Sequence, residues 1–301
     1  MFATPAQKEK LIYNPIIIDG IPIEFIEEAE HVGIIRSING NLPYLTNRIS
    51  AHKKSLASVL FSGLARGHRA NPAASLRVES IFATPVLMSG VASLVLSPTE
   101  ISLLDQHYKE TLQNIQKLHR KTPRCVVYFL SGCLPASAIL HKKQLSLFGM
   151  ITRLPGDPLN EHAKNILITG KPSSKSWFFQ IRDLCAQYNL PHSLILLQNP
   201  PKKEILKSTI KSHVMNYWEK TLRLEASCLP SLSIFKPEFM SLSSPHPIWT
   251  TIGANPYEVS KAIQQARLLS GRYRTESLCS HWSKNKDGWC QGTMLHSAHS
   301  K

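Results

Sequence analysis

The chain has 301 residues, 43% of them hydrophobic, and carries 35 lysines and arginines against 20 aspartates and glutamates, a formal net charge of +15. That length can bury one large core or two small ones, and such an excess of positive charge favours a polyanionic partner, either nucleic acid or an acidic membrane face. The opening MFATPAQKEKL has no apolar run of the secretory kind, and the longest apolar stretch, Pro85 to Leu96, falls short of the ~20 residues that span a bilayer. The expectation is an intracellular protein, cytoplasmic or nuclear, whose six scattered cysteines are reduced thiols, mostly buried as small hydrophobes.

Residues 1–40 read as a small β unit. Ile16-Ile17-Ile18 and Pro22-Ile23-Glu24-Phe25-Ile26 flank Asp19-Gly20, a strong local hairpin signal. A third run, His31 to Ile35, reads as a strand ending near Asn39-Gly40-Asn41. Residues 9–30 hold six acids and one lysine, the acidic exception in a basic chain.

From Leu42 the period becomes helical. Leu45, Ile49, Leu56, Leu60 and Leu64 recur on one side, with Arg48, His52, Lys53 and Lys54 between them and Arg66, His68 and Arg69 beyond. A second helix is predicted from Ala73 to about Leu94, and the apolar Pro85–Leu96 stretch reads as a buried helix. Ser97-Pro98-Thr99-Glu100 predicts an N-cap, a first-turn proline and a first-turn carboxylate for a helix running to Leu118 or His119. Further helices are predicted over 135–153, 174–188 and 204–224, interrupted by proline-rich stretches. Asn255-Pro256 starts a last helix ended by Gly271. The fold class is mainly α, a helical body with a small N-terminal β element, divided as 1–40, 41–154, 155–254 and 255–301.

Motifs for common chemistries are missing from the sequence. It has no phosphate loop ending in Gly-Lys-Ser/Thr, no Gly-x-Ser-x-Gly, no His-Glu-x-x-His and no Cys-x-x-Cys. The aspartates at 19, 105, 157, 183 and 287 stand singly, without the Asp-Asp or Asp-x-Asp that could hold paired magnesium ions. Each reads as a turn, cap or surface charge. His107, His119 and His141 read as solvated or hydrogen-bonded helix histidines, and Trp177 and Trp218 as core or groove aromatics. No enzyme, cofactor or small-molecule substrate is expected.

The order of these features resembles the reverse transcriptases of non-long-terminal-repeat retrotransposons. Residues 16–36, IIIDGIPIEFIEEAEHVGIIR, resemble the end of the palm, with His31, Val32, Gly33 and Ile34 fitting the primer-grip strand. The basic helix after Leu42 and the stretch from Ser80 to Leu118 resemble the thumb. EVSKAIQQARLLSGRYRT resembles the segment that leads into those enzymes' C-terminal Cys/His knuckle. The resemblance implies a thumb-like, catalytically inactive fragment, because the metal-binding palm aspartates of the family precede the matching region. It implies backbone contacts to RNA or RNA–DNA duplex through Arg48, Lys53, Lys54, Arg66, Arg69, Arg272, Tyr273 and Arg274. It also makes Cys290 the remnant of a zinc knuckle, since no second thiol follows it and no metal site is complete. Two other readings stand beside this one: a helical protein–protein interaction module without a nucleic-acid role, and a decayed reading frame without function.

Overall fold

The computed structural model describes residues 17–18, 20–22, 26–31, 33–38, 40–59, 70–170, 176–232, 234–253 and 255–271. The chain is mainly helical. Its N-terminal part holds two separate antiparallel hairpins, β1 (Ile17–Ile18) with β2 (Ile21–Pro22), and β3 (Glu28–His31) with β4 (Ile34–Ser37). The first is the hairpin that Asp-Gly predicts, with Ile18 opposite Ile21 and Gly20 at φ 78°. The second corrects the sequence reading. His31 to Ile35 is not one strand, because Gly33 takes φ 73° and folds the run back so that His31 faces Ile34. The primer-grip-like residues therefore sit at a hairpin turn. There His31 and Gly33 are exposed, Ile34 is half-buried, and Val32 lies outside the described residues.

The helical body follows: α1 (Leu42–Val59), α2 (Pro72–Val78), a π-helical turn (Glu79–Ala83), α3 (Thr84–Leu87) and a 3-10 turn (Val91–Ser93). The predicted 73–94 helix is thus broken. The wide turn at Glu79 carries Ile81 and Phe82 out to solvent, and Gly90 in the left-handed region separates α3 from the 3-10 turn. Beyond lie α4 (Pro98–Ile115), α5 (Arg124–Ser131), α6 (Ala136–Ile151), α7 (Pro158–Thr169) and α8 (Trp177–Gln187). The remaining helices are α9 (Ser193–Gln198), α10 (Lys203–Ser227), α11 (Pro247–Thr250) and α12 (Pro256–Leu269).

The capping signals perform as predicted. Ser97 and Glu100 close a reciprocal capping box on α4, and Asn255 accepts from the Tyr257 amide at the start of α12. Helices α5, α7, α9 and α11 were not anticipated. Three are shorter than nine residues, and seven of the eight residues of α5 are buried.

One apolar cluster extends from Tyr44 to Ala266 and takes in side chains of the predicted 41–154, 155–254 and 255–301 segments. Residues on α5, including Val126, Tyr128, Phe129 and Leu130, lie at its centre with no exposure. Gly132 ends α5 at φ 68°, and a Cβ there would collide with the Ser244 backbone, so the 244–246 segment passes directly over the helix end. The His246 amide donates to the Leu130 carbonyl at this crossing. Cys125 and Cys185 are buried, Cys133 is half-buried and Cys228 is exposed; all four are free thiols. Among the described residues, no single helix is long and apolar enough to cross a membrane.

Candidate nucleic-acid interface

Helix α1 presents the predicted basic residues as an amphipathic helix should. Leu45 and His52 point inward, with Ile49 and Leu56 against the core, while Lys53 and Lys54 are exposed. Arg48 behaves differently. Its guanidinium lies over the Tyr44 ring, 5.3 Å from the centroid, and half of the side chain is covered. It is partly a packing residue, with its Nε buried and without a hydrogen-bond partner. Arg66, Arg69, Arg272, Tyr273, Arg274 and Cys290 lie outside the described residues.

A denser basic site lies elsewhere, between α6 and α10. Near the end of α6, Gly149 packs against Leu206 near the start of α10. Near the start of α6, His141 Nδ1 lies 2.7 Å from the Tyr188 hydroxyl, which also accepts from Trp218 Nε1 at 3.1 Å, further along α10. The two helices therefore run antiparallel. His213 Nδ1 donates to the Tyr188 carbonyl at 2.9 Å, tying α10 to the end of α8 a second time. Burial lowers the His141 pKa to about 4, so its ring is neutral at pH 7 and suits this apolar, hydrogen-bonded seat.

Next to the inward His141, Lys142 lies within electrostatic reach of Lys207 and Lys211 on α10, and Lys143 follows it on α6. On α10, Ile210 and Val214 turn into the core, leaving Lys203, Lys207 and Lys211 as an exposed row at four-residue spacing. Lys142 is half-buried and the other four lysines are exposed. Burial lowers the Lys142 pKa, and the positive charges of Lys211, Lys143 and Lys207 lower it further. Helix α6 contains no acid, and Glu204 is the one acid among the first sixteen residues of α10. Among the described residues, no carboxylate forms an ion pair with any of the five lysines.

Ion pairs hold a few cations elsewhere. Arg124 donates twice to Glu225 Oε2, at 2.8 and 3.0 Å, and Arg223 is held by Glu219 and by two carbonyls. Lys164 pairs with Glu161 at 2.9 Å. Like charges at helical i, i+4 spacing destabilise a helix by about 0.2–0.5 kcal/mol per pair, and an anion bound across α6 and α10 reverses that sign. The arrangement suits a string of phosphates, which needs fixed positive charge rather than base-reading side chains.

Sequence reasoning placed its basic residues on α1 and near the C-terminal end and missed this site. The i, i+4, i+8 lysine row at 203, 207 and 211 was the available signal. Its meaning depends on the Lys142-Lys143 pair some sixty residues earlier, which only packing brings alongside. Among the described residues, no group of three histidine, cysteine, aspartate or glutamate side chains is placed to hold a metal ion.

Asp157 caps α7 as expected, accepting from the Leu159 amide, whereas Asp105 reaches from α4 to accept from the Ser137 amide at the start of α6. Compared with known proteins, the chain matches no protein-family model, no curated protein and no solved structure.

Proposed function

We propose that this protein is a non-catalytic, thumb-like nucleic-acid-binding body, akin to the helical region downstream of the palm in non-long-terminal-repeat retrotransposon reverse transcriptases. It grips RNA or RNA–DNA duplex by the phosphate backbone. The observation that carries this reading is the α6–α10 lysine cluster, five cations without an ion-paired carboxylate, set in a protein with a net charge of +15. Lys53 and Lys54 on α1 extend the basic surface. Counterion release drives such contacts, so binding is salt-sensitive and indifferent to base sequence.

The test is a fluorescence-anisotropy titration with an RNA hairpin and an RNA–DNA duplex over a salt series. Affinity that falls steeply with salt and varies little with sequence is the expected result. No binding at low ionic strength overturns the reading. A primer-extension assay with magnesium or manganese is expected to give no product, because the chain holds no Asp-Asp or Asp-x-Asp.

One observation favours a second reading, a protein–protein interaction module. Phe239 is 82% exposed at the end of a 3-10 turn (Pro237–Phe239) that is tied to α10 by hydrogen bonds from Arg223 and to Glu219. An aromatic presented on a fixed loop is a common anchor for a protein partner. Retained binding of RNA by a Phe239→Ala variant assigns the loop to a separate role.

A further inference from the structure

The five lysines at the α6–α10 junction are not equivalent. Lys143, Lys203, Lys207 and Lys211 stand in solvent, while Lys142 is half-buried and sits within electrostatic reach of three of the others. Among the described residues, the charged groups that act on it are all cationic. Lys143 lies beside it on α6, Lys207 and Lys211 lie across the junction on α10, and the neutral His141 is held beneath by Tyr188. An ammonium in that setting is destabilised by lost hydration and by its neighbours, so more of it stands as the free amine at neutral pH than for an ordinary lysine. A free amine is a nucleophile. The surrounding cations also attract phosphate groups, so the same arrangement that frees the amine concentrates a phosphorylated reagent beside it.

We propose that Lys142 is an acyl-acceptor site for acyl thioesters that carry phosphate groups, and that its acylation weakens the polyanion grip of the α6–α10 lysines. The step balances without a further reagent. The unprotonated Nζ attacks the thioester carbonyl carbon, a C–N bond forms, and the C–S bond breaks. The nitrogen loses one proton, and the departing thiolate takes up a proton to leave as the thiol. The product amide has no charge, so the cluster loses one cation and gains a bulky neutral group at its most enclosed position. The regulatory half of the proposal rests on the nucleic-acid reading above; the chemical half does not.

The experiment treats the intact chain with acetyl-coenzyme A and, in parallel, with the phosphate-free thioester of N-acetylcysteamine. Acetylation at each lysine is followed over time by peptide mass spectrometry. Lys142 is expected to react several-fold faster than Lys164, whose amine is ion-paired to Glu161. That lead is expected to shrink with the phosphate-free reagent and in a Lys207→Gln/Lys211→Gln variant. Equal rates at Lys142 and Lys164 overturn the acceptor assignment.

Acetylated protein and a Lys142→Gln variant are then titrated with RNA. Weakened binding supports the switch, with Lys142→Arg, which keeps the charge, binding as the unmodified chain does. Selective acetylation with unchanged RNA affinity overturns it. If unmodified protein binds no RNA at low salt, the nucleic-acid reading falls and the switch falls with it, while the relative acetylation rates still decide the acceptor site.

Discussion

His52 and His107 meet inside the protein, Nδ1 of the first 3.0 Å from Nε2 of the second, with ring planes crossed at 86°. The contact joins α1 to α4. It is a hydrogen bond only while one facing nitrogen carries a proton and the other does not. On its far side His52 Nε2 lies 3.4 Å from Glu79 Oε1, which also accepts from the Thr84 hydroxyl at 2.6 Å. The Tyr108 hydroxyl approaches Glu79 Oε2 at 3.4 Å. The π-helical turn thus brings a carboxylate with no solvent exposure into contact with three helices.

This network predicts acid lability. Burial, reinforced by His52 and Lys53 and opposed by Glu110, lowers the His107 pKa to about 4, and burial alone lowers that of His141 to about 4. An unfolded histidine titrates near 6.5, so between about pH 6.5 and 4 the unfolded chain binds more protons than the folded one. Stability contributed by the two neutral rings is therefore full above about pH 6.5. It falls as pH drops through that window, and the loss is complete below about 4. The loss is of the order of 3 kcal/mol per histidine. Urea melts across this range are expected to show the midpoint falling with pH, and a His107→Gln variant is expected to have a shallower dependence. A flat profile from pH 7 to 4 contradicts the burial of both rings.

Glu79 predicts a cost of similar size. Glu79→Ala leaves His52, Thr84 and Tyr108 without their shared acceptor in a dry site, at about 3 kcal/mol. Glu79→Gln keeps one acceptor oxygen and is expected to cost less. Chemical denaturation of both variants checks the order, and equal midpoints would mean that water reaches the site.

Which of these features could be read in the sequence depends on how local the physics is. The box at Ser97–Glu100, the cap at Asn255 and the Asp-Gly hairpin each involve groups within a few residues, so propensity and stereochemistry specify them. The Glu79 network joins residues 27 and 55 positions apart from His52, and the lysine cluster joins α6 to α10. Neither has a local signature. The break after Glu79 was hidden because Ala73 to Leu94 is rich in apolar residues that suit a continuous helix and a broken one equally. His31 to Ile35 misled for a related reason. Its apolar residues suit a strand, and a single glycine at positive φ decides for a turn.

The lysine cluster predicts a particular salt dependence. Each phosphate neutralised contributes about −0.9 to the slope of log K against log salt for duplex DNA and about −0.7 for a single strand. Lys207→Gln/Lys211→Gln is expected to reduce the magnitude of the RNA slope by about 1–2 and to weaken binding uniformly across sequences. Lys53→Gln/Lys54→Gln on α1 tests whether the basic surface continues. If only the α1 pair changes the slope, the bound strand runs over α1 and not over α6–α10. Substituting exposed lysines should leave the unfolding midpoint nearly unchanged, which separates lost binding from lost fold.

Tyr188 predicts a link between the core and that basic surface. Its hydroxyl sits between His141 Nδ1 and Trp218 Nε1, its ring packs edge-on to Tyr217 at 5.1 Å, and its carbonyl receives His213. Burial raises its pKa, so the phenol stays protonated and can serve the imidazole and the indole together. Tyr188→Phe keeps the ring and removes that shared oxygen, leaving two buried polar groups unpaired at about 2 kcal/mol. Because His141 fixes the start of α6 against α10, the same change is expected to loosen the placement of Lys142. RNA affinity is then expected to fall although no charge has been removed, and the salt slope is expected to hold. A variant that loses stability but binds RNA as before would show that the lysines act as independent surface charges rather than as a cluster held in register by the core.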